Sequence, residues 1–171
     1  MILPSLRLPL ALSALLLSAT LQADPTWQSQ PANPVILTVS GELDCCPDGT
    51  AYFDLERLDA LAQTTVKTIT PWTDAEESFQ GVRLDQLLTA LGAKGTHLEA
   101  VALNDYSTRF DTKALLRYPV ILATRKEGQL MRVRDKGPIW IIYPLSDYPA
   151  LRKEEHHHAM VWQLKALTVS R

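Results

Sequence analysis

The sequence predicts a mixed α+β fold: a single domain in which a mixed β-sheet is flanked by short helices. Strand-like segments outnumber helical ones, and the two types do not alternate as they would in a doubly wound parallel sheet. The length of 171 residues also suits one domain, because two cores would each bury too little apolar surface. The composition, 46% hydrophobic and 21% charged, is that of an ordinary globular protein.

The first elements of the predicted domain are a strand, a turn and a helix. A short β-branched run at residues 35–39, followed by Gly41, predicts a strand buried on both faces. Residues 44–49 predict a turn or small loop. Asp54 is placed to cap a helix, whose apolar face would be formed by Leu55, Leu58, Leu61 and Ala62.

A strand and a second helix are predicted next. Residues 66–70 alternate as a strand does, and Pro71 ends that strand. The acidic residues 74–77 predict a solvated loop. A helix is expected to begin near Val82, because apolar residues recur at helical spacing up to a C-terminal glycine. These residues are Leu84, Leu87, Leu88, Leu91 and Gly92.

The rest of the chain is rich in predicted strands. Short apolar or alternating runs bounded by glycine and proline are typical of strands. They occur at residues 98–103, 120–124, 139–143 and 161–169, with a helical turn at 113–117 and a tight turn at 127–128.

The N-terminal segment predicts export. Arg7 precedes an apolar run at residues 8–17, and small or polar residues lead to Ala23, as in a secretory signal peptide. The segment lacks the Arg-Arg pair that is typical of the twin-arginine route for folded proteins. We therefore expect the chain to be exported to the periplasm in an unfolded state. The expected organisation is a signal peptide at 1–23, an extended leader at 24–34 and one domain at 35–171.

The charge balance argues against nucleic acid as a partner. The 17 basic and 19 acidic residues give a formal net charge of −2 at pH 7, which offers no general field for a polyphosphate. After removal of the signal peptide we expect no membrane span. The expected partner is a small ligand or a periplasmic or membrane protein, whose identity the sequence does not specify.

Cys45 and Cys46 are adjacent. Neighbouring residues rarely form a disulfide, because their Cα atoms are only about 3.8 Å apart and the small ring strains the peptide. Three alternatives stay open: a vicinal disulfide, intermolecular disulfides, or free thiols that could bind a metal.

Residues 156–158 are three consecutive histidines. In a strand, His156 and His158 would share a face, so two imidazoles could reach one ion. No third ligand can be assigned, although Glu154 and Glu155 are adjacent. The simpler interpretation is a solvated loop before the last strand. The histidines and the cysteine pair are candidates for a metal site without forming a complete ligand set.

Several motifs follow one another in a characteristic order. Residues 68–72 lead into residues 79–88, which read Phe-Gln-Gly-Val-Arg-Leu-Asp-Gln-Leu-Leu. Further motifs lie at 102–106, 120–128, 137–144 and 161–164. Together they resemble the sulfite-oxidase-like molybdopterin-binding domain, over about residues 35–169. The resemblance implies that family's fold and a cofactor cleft.

The resemblance also implies two departures at the cofactor. Counting back from Trp72, Thr68 stands where the family has a molybdenum-binding cysteine, and a threonine hydroxyl is neither soft nor ionised at neutral pH. Ile139 and Trp140 stand where the family has a phosphate-binding cation. The family arrangement leads us to expect residues 68–73 and 104–109 around one pocket. The candidate cleft residues are Thr68, Thr70, Trp72, Asn104, Tyr106 and Arg109.

Two functions are compatible with these observations. The first is a periplasmic protein that keeps the scaffold, binds no cofactor and holds a small ligand or partner protein in the former cofactor cleft. The alternative is a molybdopterin-dependent oxidoreductase in which Cys45 or Cys46 replaces the missing ligand. Whether the chain is an enzyme stays open, because function depends on the site and not on the scaffold.

Overall fold

The computed structural model describes residues 27–171, and the predicted signal peptide lies outside the described residues. In the described part, the chain forms ten strands and four short α-helices. None of the helices within 27–171 is long and apolar enough to cross a membrane. The strands form two sheets of five strands each.

The first sheet has the order β2-β1-β10-β5-β6, in which β1 and β10 are parallel and the other pairs antiparallel. Along β1, Leu37 and Val39 are buried whereas Thr38 and Ser40 are only half-buried. The expectation of a strand buried on both faces is therefore wrong, because only one face packs on the core. The strands are β1 Leu37–Gly41, β2 Thr50–Phe53, β5 His97–Ala102, β6 Ser107–Asp111 and β10 Leu164–Ser170.

The second sheet is antiparallel, with β3, β4, β7 and β8 in that order and β9 also paired with β7. Glu77 belongs to β4, and its carboxylate lies 3.1 Å from the Lys126 ammonium. The predicted solvated loop therefore ends at residue 76. The strands are β3 Gln63–Thr68, β4 Glu77–Arg83, β7 Ile121–Lys126, β8 Gln129–Leu130 and β9 Trp140–Ile142.

Local sequence signals position the helices. The Asp54 carboxylate accepts a hydrogen bond of 2.9 Å from the Arg57 amide, which confirms the predicted cap. Gly92 has a φ of +61°, as expected for a glycine that follows a helix. The second helix begins at Leu84, two residues later than predicted. The helices are α1 Leu55–Asp59, α2 Leu84–Ala90, α3 Thr112–Leu115 and α4 Glu154–Ala159, with 3₁₀ turns at Val133–Asp135 and Pro149–Leu151.

One continuous core joins the two sheets and the helices. Strand β9 is buried along its whole length, and Trp140 is among the largest fully buried side chains. The part of the leader that the structure describes also packs on the domain: the Tyr52 amide donates to the Trp27 carbonyl, and the Trp27 ring contacts Phe53. The core therefore holds the two sheets together and includes or contacts the aromatic residues Trp140 and Trp27.

Candidate functional site

A groove of about 300 Å³ opens between the turn that joins β5 to β6, the loop after β3, and α4 with the residues that follow it. We call it the aromatic groove. Its size is at the lower end of the range for small-molecule sites. It is lined by Trp72, Ala102, Asn104, Tyr106, Glu154, His157, His158, Met160, Val161 and Trp162.

Tryptophan rings form the wall of the aromatic groove. The rings of Trp72 and Trp162 meet at 81° with their centroids 4.9 Å apart, an edge-to-face pair. Both rings rest on Trp140, whose centroid lies 6.1 Å from that of Trp72 and 6.5 Å from that of Trp162. The buried Trp140 indole donates a hydrogen bond of 3.1 Å to the Met160 carbonyl. The wall is thus built on a fixed core residue.

The turn between β5 and β6 supplies a further part of the lining. The Asn104 side-chain oxygen accepts from the Tyr106 amide at 3.2 Å, and Asp105 has a φ of +64°. This local bond is typical of a turn built by asparagine. The Tyr106 hydroxyl then donates a 3.2 Å bond to the His158 carbonyl, so the turn is tied to α4.

The histidine segment forms α4, so the predicted solvated loop is wrong. Residues two apart on a helix point in different directions, so His156 and His158 do not share a face as they would in a strand. The His156 ring lies 5.7 Å from the Tyr143 ring, and burial lowers its pKa. The His158 ring lies 3.4 Å from the Glu154 carboxylate. Within residues 27–171, no three His, Cys, Asp or Glu side chains converge to hold a metal ion.

Thr70 positions Trp72 without lining the aromatic groove. Its hydroxyl accepts from the Trp72 amide at 3.2 Å, and its own amide donates to the Thr73 hydroxyl at 2.9 Å. Thr70 instead lines a neighbouring cavity of about 340 Å³, next to Ser146 and Arg152. The turn therefore fixes the backbone from which the Trp72 indole projects.

Thr68 is fully buried and lines neither cavity. Its hydroxyl accepts a 3.0 Å hydrogen bond from the Ser146 amide and donates to the Ile69 carbonyl. In return, the Ser146 hydroxyl accepts from the Ile69 amide at 3.0 Å. These bonds tie the end of β3 to the segment that follows β9, so both hydrogen-bonding functions of the Thr68 hydroxyl are used within the protein.

Replacement of Thr68 by valine is expected to lower the free energy of unfolding by about 1–3 kcal/mol, because the partly buried Ser146 amide would lose its acceptor. Denaturant unfolding measures this loss. Thr65→Val is the matched control, since Thr65 is exposed on the same strand. Equal losses in the two variants would contradict the structural role assigned to the Thr68 hydroxyl.

Arg109 lies outside the aromatic groove. It is the third residue of β6, and its guanidinium donates to the Ser170 hydroxyl and to the Arg171 carbonyl. Strands advance by about 3.3 Å per residue, so Arg109 is already well removed from the turn that holds Tyr106. Of the six candidate cleft residues, the structure brings together Trp72, Asn104 and Tyr106.

Ile139 and Trp140 are buried, with 0% and 1% of their surface exposed. Trp140 is enclosed by the rings of Phe79, Trp72 and Trp162. The nearby cation is Lys136, whose ammonium lies 4.6 Å from the Trp162 ring centroid and 5.5 Å from that of Trp140. Within the part of the chain that the structure describes, the lining of the aromatic groove includes no lysine or arginine. An anionic phosphate in the groove would therefore meet no lysine or arginine of the described lining.

Cys45 and Cys46 form a vicinal disulfide. Of the three alternatives that the sequence left open, the structure contains the first. Cys46 is buried in the core, and the Cys45 amide donates to the Leu91 carbonyl at the end of α2. Neither sulfur is a thiolate in this form, and metal binding by cysteine requires the thiolate.

No protein-family model matches the sequence. No curated protein matches it either. Among solved structures, the chain is similar to the sulfane dehydrogenase SoxCD from Paracoccus pantotrophus, with a TM-score of 0.61 and 19% sequence identity. The match covers 78% of this chain and 37% of that one.

The fold is sulfite-oxidase-like. This confirms the predicted fold class, a mixed α+β domain with short helices, although the strands form two sheets where the sequence predicted one mixed sheet. The chain matches little more than a third of the length of SoxCD, so the likeness concerns the scaffold. The residues at the two positions that the resemblance assigns to the cofactor do not fit molybdopterin. Thr68, at the position that the resemblance assigns to the metal ligand, has a buried and fully engaged hydroxyl, and Trp140, at the position that it assigns to the phosphate partner, has a buried indole.

Besides Ala102, five residues of the aromatic groove were not among the sequence candidates: Glu154, His157, Met160, Val161 and Trp162. They come from α4 and the residues after it, which were predicted as a loop and a strand. Their position depends on long-range contacts, such as the bond between Tyr106 and His158, 52 residues apart. A short polar helix carries no sequence signal that would reveal such packing.

Proposed function

We propose that this protein is a ligand-binding protein without molybdopterin, and that the aromatic groove holds a small organic molecule. The single observation that carries the proposal is the exposure of Trp72 and Tyr106, 38% and 44%, both of which line one concave site. Large aromatic side chains that are left accessible around a concavity are typical of binding sites. The groove volume of about 300 Å³ favours a small molecule over a protein partner.

The proposal includes export to the periplasm and the absence of a cofactor. Export is supported by the signal-like residues 1–23. The absence of molybdopterin is supported by the buried Thr68 hydroxyl and by the disulfide that occupies both cysteines. N-terminal sequencing of the chain from a periplasmic fraction should begin at or near Asp24, and a retained Met1 would contradict export.

Binding is tested by nuclear magnetic resonance with a set of small fragments that includes neutral, cationic and anionic members. We expect bound fragments to shift the indole N–H signals of Trp72 and Trp162, and we expect Trp72→Leu to abolish the shift of the remaining Trp162 signal. Trp27→Leu is the matched control, because Trp27 contacts Phe53 and lines none of the groove. Shifts that survive Trp72→Leu, or no shifts in the groove with any fragment, would contradict the proposal.

A further inference from the structure

The lining of the aromatic groove combines accessible aromatic rings with a carboxylate. From this combination, and resting on the proposed function, we infer that its ligand is an organic ammonium ion, an amine or quaternary amine with short alkyl substituents. Ammonium groups are attracted to the faces of tryptophan and tyrosine by the quadrupole of the ring.

The protein already holds one ammonium group in this aromatic cluster. The planes of Trp140 and Trp162 meet at 85°, and the Lys136 ammonium lies within 5.5 Å of both ring centroids. These distances are within the range of about 6 Å at which cation–π attraction is effective. The corner between these two perpendicular indoles therefore binds a cation in this fold. Its occupant is Lys136, which does not belong to the lining of the aromatic groove.

A second corner of the same kind faces the aromatic groove. Trp72 and Trp162 meet at 81°, and Trp72 is 38% exposed. Tyr106, which follows the turn between β5 and β6, lines the same groove and is held in place through its hydrogen bond to the His158 carbonyl. Among residues 27–171, no lysine or arginine lines the groove, and the Lys136 ammonium, 4.6 Å from the Trp162 centroid, lies outside that lining.

The charge of the lining favours a cation over an anion. Among the described residues that line the groove, and with histidines counted as neutral, Glu154 carries the one formal charge. The nearby Asp105 carboxylate is paired with the Lys165 ammonium and adds no net charge. A bound ammonium would be attracted by the Glu154 carboxylate, whereas an anion would be repelled by it.

The experiment compares two probes of the same shape, choline and 3,3-dimethylbutan-1-ol. Choline has a positively charged nitrogen as its central atom, and the alcohol has a neutral carbon there. Both are titrated into the mature protein and followed through the indole N–H signals of Trp72 and Trp162. We expect choline to bind about tenfold more tightly than the alcohol. Equal affinities, tighter binding of the alcohol, or no binding of choline would overturn the inference.

Two variants test the carboxylate. Glu154→Gln should weaken choline binding by about twofold to fivefold, the range for an exposed ion pair, and leave the alcohol unaffected. Glu155→Gln is the matched control, because it removes the same charge one residue away and Glu155 does not line the groove. An equal loss in both variants, or no loss in Glu154→Gln, would overturn the assignment of the carboxylate.

The two proposals fail in different ways. If neutral or anionic fragments shift the groove signals while choline does not, the ligand class is wrong and the binding function stands. If no fragment of any charge shifts those signals, the binding function itself is wrong.

Discussion

Replacement of Trp140 by alanine is expected to lower the free energy of unfolding by about 3–5 kcal/mol, the range for removal of a large buried aromatic side chain. Trp140 is 1% exposed and contacts the rings of Phe79, Trp72 and Trp162. Its loss would leave a cavity beneath the aromatic groove, so ligand binding should fall together with stability. Denaturant unfolding and the fragment titration measure the two effects.

Trp140→Phe separates packing from hydrogen bonding. The phenyl ring keeps much of the aromatic contact but leaves the Met160 carbonyl without its indole donor. We expect a smaller loss of stability, of about 1–3 kcal/mol. A loss below about 1 kcal/mol in Trp140→Ala would show that the tryptophan is not part of the core on which the groove rests.

Replacement of Gly137 by alanine is expected to lower the free energy of unfolding by about 3 kcal/mol or more. A Cβ atom at this position would lie 2.0 Å from the Met131 carbonyl oxygen and 2.4 Å from the carbonyl carbon. Both atoms belong to the backbone, so the clash can be relieved only by a shift of the chain. Gly137 also donates its amide to the Arg132 carbonyl, which such a shift would disturb.

Gly128→Ala is the control for this substitution. A Cβ atom there would meet nothing within 4 Å, although its φ of +73° is unfavourable for alanine. We expect a loss of about 1–2 kcal/mol, from backbone conformation alone. A loss in Gly137→Ala no greater than in Gly128→Ala, measured by the same unfolding experiment, would contradict the close approach of residues 131 and 137.

Local signals in the sequence were sufficient for the elements that local interactions stabilise. Asp54 caps its helix through a bond to a residue three positions away. The leucines at 84, 87, 88 and 91 are all buried, as their helical spacing predicts. Such features depend on neighbours along the chain, so they can be predicted without the rest of the fold.

Strands that are stabilised by partners far away along the chain were not predicted from the sequence. Strand β4 reads Glu-Ser-Phe-Gln-Gly-Val-Arg, a sequence of low strand propensity that is held between β3 and β7. Gly81 lies so close to β7 that an added Cβ would be 1.9 Å from the Leu122 carbonyl oxygen. Only the paired strand explains that glycine, and the partner is about 40 residues away along the chain.

Only part of the candidate site could be predicted from the sequence, because the rest depends on contacts between residues that are far apart along the chain. The family resemblance led to Trp72, Asn104 and Tyr106, which do line one groove. It also led to Thr68, Thr70 and Arg109, which do not line this groove. Their side chains form hydrogen bonds elsewhere: at the end of β3, in the loop after β3 and at the edge of the first sheet. The other side of the groove depends on the packing of α4, which follows from contacts that no local pattern encodes.

The molybdenum and pterin content of the protein tests the central claim most directly, namely that this scaffold has exchanged a cofactor site for a ligand site. The chain is purified from the periplasm of cells that make the cofactor, beside a resident molybdenum enzyme as positive control. Metal is measured by elemental analysis and pterin by fluorescence after denaturation. We predict that molybdenum is far below one atom per chain, with no pterin released. Near-stoichiometric molybdenum with released pterin would contradict the account.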